Sequence, residues 1–175
     1  WPAALAAIAW MDAAADTNGY LTYARHTPRG LINQGWKDSH DAVMHADGSL
    51  AEPPIALVEV QAYAYAARRN LAQLARRLKY NEQATLWETQ ADRLAQRFQR
   101  DFWLPEEGTF ALALDGHSHP CRVVSSNPGH CLFAGIGNSA QARQVATRLL
   151  QDDMFCGWGI RTLSAHARRY NPMSY

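Results

Sequence analysis

Residues 55–102 read IALVEVQAYAYAARRNLAQLARRLKYNEQATLWETQADRLAQRFQRDF, and this stretch decides the fold class. After Pro53-Pro54 the pattern turns helical, with Leu71, Leu74, Ala75 and Leu78 on one apolar stripe. Tyr80-Asn81 interrupts it, and Asn81 is placed to cap a second helix. That helix sets Trp87, Ala91, Leu94, Phe98 and Phe102 along one face, at steps of three and four residues. Two long helices joined by so short a break run antiparallel, as an αα-hairpin.

More helix flanks the hairpin. Residues 2–15 form one, with Pro2 tolerated in its first turn, and Asp16-Thr17-Asn18-Gly19 supplies a turn. Beyond the hairpin, TFALAL at 109–114 alternates weakly like a short strand, and 125–129 is a loop. Residues 131–136 begin a short helix, and Ser139 is placed to cap another over 139–150. Residues 17–54 differ: four Gly, three Pro and little helical periodicity beyond a short turn near 38–45. A loop this long in a compact domain is usually functional. Helical hairpins separated by long aromatic-rich loops suggest an all-α toroid with a concave site.

Composition narrows the function classes. The 175 residues are 47% hydrophobic, with 30 alanines that favour helix, and no disordered chain has this apolar content. A net charge of +1 provides no general attraction to nucleic acid or to an anionic membrane. The pairs Arg68-Arg69, Arg76-Arg77 and Arg168-Arg169 fall on outer helix faces or in a loop, balanced by acids. No apolar run reaches the ~20 residues that span a bilayer. The 3 cysteines, at 121, 131 and 156, have no CxxC spacing, so neither a disulfide framework nor a zinc knuckle is signalled. His117, His119 and Cys121 lack a fourth ligand, and no metal or other cofactor is expected. The expected location is the cytoplasm.

The densest polar constellation is NQGWKDSHD at 33–41. Glycoside hydrolysis needs one carboxylic acid to protonate the leaving oxygen and a second carboxylate opposite, with flat apolar faces and amides for the sugar. Trp36, Gln34 and Asn33 beside Asp38 meet all but the second carboxylate. Asp38 or Asp41 could equally cap a short helix that follows. Glu59 and Tyr63, four apart, share a helix face that reaches either a pocket or a buried polar network, while Gln61 points elsewhere. Trp158, between Gly157 and Gly159 and near Arg161, is placed either to stack on a sugar or to pack its loop on the core. His130 reads most simply as a helix-start or core histidine.

The segment GYLTYARHTPRGLINQGWKDSHDAVMHADGSLAEPPIALVEVQAYAYAA resembles bacterial amylo-α-1,6-glucosidase, the glucosidase module of glycogen-debranching-type proteins. SSNPGH at 125–130, FCGWGIRTLS at 155–164 and RYNPMSY at 169–175 follow in the same order, so the similarity covers the whole chain. It implies an (α/α)6 toroid of the inverting glycosidases, a set that includes glucoamylase-like and mannosyl-oligosaccharide-glucosidase-like enzymes. Carried over, the general acid is Asp38, with Asp41 the second choice because the step from Trp varies among relatives. Gln34, Trp36, Lys37, Glu59, His130, Trp158, Arg161 and Tyr175 would bind an oligosaccharide or polysaccharide. A general acid must keep its proton near neutral pH through burial or a like charge.

A closed toroid needs roughly twelve helices of ~12 residues, more than this chain holds. With about six helices, a start at Trp1 and a stop at Tyr175, residues 1–175 are expected to be one incomplete toroid domain of a longer protein. The base and half of the cleft would lie elsewhere, the piece alone would be inactive, and its half-toroid edge would be prone to association. Two rivals remain: a sugar epimerase or isomerase on a similar toroid, using His130 or His40, and a non-catalytic module that binds glycan or protein.

Overall fold

The computed structural model describes residues 1–174. Five helices dominate the described residues: α1 (Pro2–Ala14), α2 (Val58–Arg77), α3 (Asn81–Phe102), α4 (Pro128–Ala134) and α5 (Ser139–Leu149). The hairpin of α2 and α3 forms the spine. Ala62, Ala72, Ala75, Ala84 and Ala91 are all 0% exposed, and their small side chains let the helices approach closely. Every residue expected on the apolar face of α3 is buried, with Phe98 stacked on Phe102 at 4.7 Å and 4.8 Å from Phe110. Trp1 stacks on Tyr80 at 4.9 Å and meets Trp87, which packs the start of α1 against the connected end of the hairpin.

Some local expectations are corrected. Leu74 and Leu78 are 43% and 48% exposed, because α2 packs its alanines, not its leucines, against α3. Tyr80 is the N-cap of α3 and makes no side-chain cap bond; Asn81 is already helical. Asn138, not Ser139, caps α5, in a reciprocal capping box with Gln141. Pro53-Pro54 is followed not by helix but by a strand, β1 (Ala56–Leu57), which pairs antiparallel with β4 (Ala113–Leu114). Residues 109–114 divide between β3 (Thr109–Phe110) and β4, and β3 pairs with β2 (Trp103–Leu104). No helix forms at 38–45; a turn closes there, with Ala42 N donating to Ser39 O at 3.0 Å. Arg68 is buried, not outward-facing, and pairs with Asp12 at 2.7 Å.

The long loop is ordered by its own core. Val43, Met44, Ile55, Leu57, Leu112, Cys121 and Val123 pack together beneath it. Backbone bonds tie Tyr23 to Ile55 in both directions, and Gly116 N donates to Glu52 O at 2.7 Å. A Cβ on Gly116 would sit 2.4 Å from Pro53 O, so the loop's return depends on that glycine. These contacts press residues 33–41 against the first turn of α2.

Candidate active site

The backbone of the 33–41 segment is fixed by its own amides. Tyr23 Oη donates to Asn33 Oδ1 at 2.8 Å, and Asn33 Nδ2 donates to Ser39 O at 2.6 Å. Gln34 Nε2 donates to Ala24 O at 3.2 Å. Both amides that looked suited to sugar hydroxyls therefore spend donors on the loop, and Asn33 is buried. At Gly35 a Cβ would fall 2.6 Å from Leu57 Cδ1 and 3.5 Å from Glu59 Oε1, so only glycine allows this approach to α2.

Lys37 turns inward, only 8% exposed, and its Nζ donates to Thr162 O at 3.3 Å while lying 5.5 Å from the Trp36 ring centroid. Burial lowers its amine to about 8, against the opposing pull of the Glu59 carboxylate. Glu59 is buried and accepts from Asn127 Nδ2 at 3.0 Å. Asn127 belongs to the SSNPGH motif before α4, and its buried Oδ1 meets no donor among the described residues. Glu59 is thus part of a buried polar junction of α2, α4 and the loop. Burial and the same carboxylate hold the Cys131 thiol well above its ordinary value, which makes it a core residue and not a nucleophile.

Tyr63 and Glu59 share a face of α2, as the spacing implied, while Gln61 bonds Leu21 N and O on the other side. Tyr63 Oη lies 2.6 Å from His130 Nδ1, and the rings meet edge to face at 5.7 Å. Burial, and then Glu59, raise the Tyr63 phenol above its ordinary value, so it keeps its proton. The direction of that hydrogen bond follows the histidine tautomer, since a phenol both donates and accepts. The Trp36 ring is 6.4 Å from His130 and 47% exposed. His130 thus sits half-buried at the start of α4, as the helix-start reading has it, with its ring toward Trp36.

Asp41 is half-buried and lines one groove with Lys37, Ser39, Tyr170 and Asn171. Asp38 and His40 are exposed. An adjoining recess is lined by Trp158, Arg161, Tyr170 and Asn171. Trp158 is 98% exposed at the tip of a hairpin closed by the Phe155–Ile160 bridge, where Gly157 takes φ +90°, so the indole does not pack on the core. Arg161 Nη1 donates to Asp152 O at 3.0 Å. Tyr175 lies outside the described residues. The structure thus gathers Lys37 and Asp41 in one groove, Trp158 and Arg161 beside it, and Trp36, Tyr63 and His130 along the first turns of α2 and α4.

One functional anchor was not found by sequence reasoning. Asp153 takes a fork from Arg148 at 2.7 and 2.8 Å and a bond from Ser164 Oγ, which ties the 152–164 loop to α5. The only signal was an acid four and five residues after Arg148 in helix-then-loop context. Among the described residues no three metal-ligating side chains converge. His117 faces Glu52 at 3.3 Å, whereas Cys121 is buried with its thiol pushed up to about 12. No helix is long and apolar enough to cross a membrane among the described residues.

Solved structures share this architecture. A neutral trehalase from Saccharomyces cerevisiae superposes with TM-score 0.59 at 16% identity, over 66% of this chain and 23% of its own. A sialidase superposes with TM-score 0.73 at 11% identity, over 98% and 15%. A GH78 family rhamnosidase of Bacillus sp. GL1 gives 0.63 at 17%, over 85% and 14%. The chain therefore spans about a quarter or less of each structure it matches, and at these identities the likeness shows the fold alone. No curated protein matches the sequence. The model of one family, the mannosylglycerate hydrolase MGH1-like glycoside hydrolase domain, matches residues 1–175. The chain belongs to the MGH1-like glycoside hydrolase domain family.

Proposed function

We infer that residues 1–175 contribute the acid side of an inverting glycosidase that cleaves α-glucosidic bonds of the amylo-α-1,6 type. Asp38 is the general acid, with Asp41 the alternative. The observation that supports this reading is the 33–41 loop, which contributes Lys37 and Asp41 to a groove shared with Tyr170 and carries Trp36 and Asp38 exposed in the same segment. Trp36 and Trp158 offer ring faces, Lys37 and Arg161 offer charge-assisted donors, and His130 offers a ring nitrogen to a hydroxyl. Glu59 supports the reading indirectly, since its carboxylate faces Lys37 from within the wall.

Asp38 is exposed, so the burial that keeps an acid protonated has to come from residues beyond 1–175. The catalytic base, ~6.5–9.5 Å across the sugar, belongs to the same missing wall. Five helices against the roughly twelve of a closed toroid support the view that residues 1–175 are part of that domain.

The test is sugar release by the full-length protein from α-1,6-branched and α-1,4-linked glucans and from mannosylglycerate, which the family's description names. Asp38→Asn is expected to lower kcat by about 10²–10⁴-fold, and an unchanged rate refutes the assignment. Loss in Asp41→Asn with Asp38→Asn active moves the acid to Asp41. Mannose release without glucose release replaces the substrate.

A further inference from the structure

Gln61 follows Glu59 by two residues, about 200° around α2, and so faces away from the groove. On that side α1, α2 and α3 enclose a second cleft, lined by Asp12, Gly19, Arg68, Gln90, Arg93 and Arg97. Three guanidinium groups meet one carboxylate there. Asp12 is already engaged, by Arg68 Nη2 at 2.7 Å and Gln90 Nε2 at 3.4 Å. Arg97 reaches only Gly19 O, at 3.5 Å, and its buried Nε has no acceptor among the described residues. Arg93 makes no hydrogen bond or ion pair among them, and the buried Gln90 Oε1 meets no donor. Gly19 takes φ +77°, and its backbone lies against the Arg97 guanidinium, whose Nη2 donates to its carbonyl.

Asp101 lies within electrostatic reach of Arg97 but is itself engaged by Arg100 and Tyr20. Arginines with no direct carboxylate partner, beside an idle N–H donor and an idle carbonyl acceptor, point to a ligand. It must carry anionic oxygens for the arginines and one O–H for the amide. We propose that this cleft binds a compact oxyanion bearing a hydroxyl, either hydrogen phosphate or a 2-hydroxycarboxylate. Arg93 and Arg97 take the charged oxygens, and the hydroxyl donates to Gln90 Oε1. The site lies on the far face of α2 from Trp36 and Asp38 and stands independently of the glycosidase reading.

The experiment is titration calorimetry of the full-length protein with sodium phosphate, sodium lactate and sodium chloride at constant ionic strength and pH 7. Saturable one-to-one binding of phosphate or lactate is expected, and the anion that binds identifies the source. Arg97→Gln and Arg93→Gln should each weaken it at least tenfold, while Arg122→Gln, whose side chain pairs with Glu106 and Glu107 elsewhere, should not. Arg93 is exposed, so its variant keeps the fold should Arg97→Gln lose it. The proposal is overturned if neither anion binds beyond chloride, or if binding is unchanged in Arg93→Gln.

Discussion

Asp153→Asn isolates the tie between the 152–164 loop and α5. The native carboxylate is only 8% exposed, and it receives both arms of the Arg148 fork and the Ser164 hydroxyl. The Arg148 fork, with the Ser164 bond, holds its carboxyl at about 2, below the ordinary 3.8. That difference corresponds to about 2 kcal/mol of folding stability at neutral pH, at 1.36 kcal/mol per tenfold. The folded value lies below the unfolded one, so the stabilisation is present above pH ~4 and is lost as pH falls through ~2. Asn keeps the size but not the charge. Urea unfolding of the full-length protein and the variant should show a gap of about 2 kcal/mol at pH 7 and 5, narrowing to roughly half by pH 3. The same loop carries Thr162, whose carbonyl accepts from Lys37, so KM for sugar should rise in the variant while kcat changes less. A gap absent at pH 7, or undiminished at pH 3, refutes the assignment of this anchor to a charged fork.

Three further outcomes follow from the packing and the site. Phe98→Ala removes a ring that is 0% exposed and touches Phe102 and Phe110, and should cost about 3–5 kcal/mol by denaturant unfolding. Lys37, held at about 8 by burial, has a folded value below its unfolded 10.5, so its charge opposes folding at pH 7 and that cost lifts as pH rises from about 8 to 10.5. Its contribution to sugar binding should fade with a midpoint near pH 8, and Lys37→Met should abolish that limb of the KM profile. Tyr63→Phe removes the hydrogen bond to His130 Nδ1 and should raise KM several-fold with little change in stability, because Tyr63 is 43% exposed; an unaltered KM would remove His130 from the proposed sugar-recognition set.

The hairpin was legible because periodicity is a local property. Trp87, Ala91, Leu94, Phe98 and Phe102 name their own face, and the structure buries all of them. Caps were less legible: Asn138 and Ser139 are both capable, and only the reciprocal bond from Gln141 selects Asn138. In α2 the leucines were the stronger sequence signal, yet alanines won the interface, since close helix approach rewards small side chains over large ones. Within the candidate site, residue types singled out Lys37 and Asp41, which share a groove, and Trp36, which lies beside Lys37 and His130. They did not reveal that Asn33 is spent inside its loop, or that His130, at the start of α4, meets Tyr63.

The sequence by itself determined the all-α class and the αα-hairpin, because both rest on spacing within a short stretch of chain. Tertiary structure alone decided which polar groups face solvent, which face the groove and which are buried. Lys37 meets Thr162 from 125 residues away and Glu59 meets Asn127 across 68, and pairings at such separations are set by how the elements pack. No local pattern encodes them.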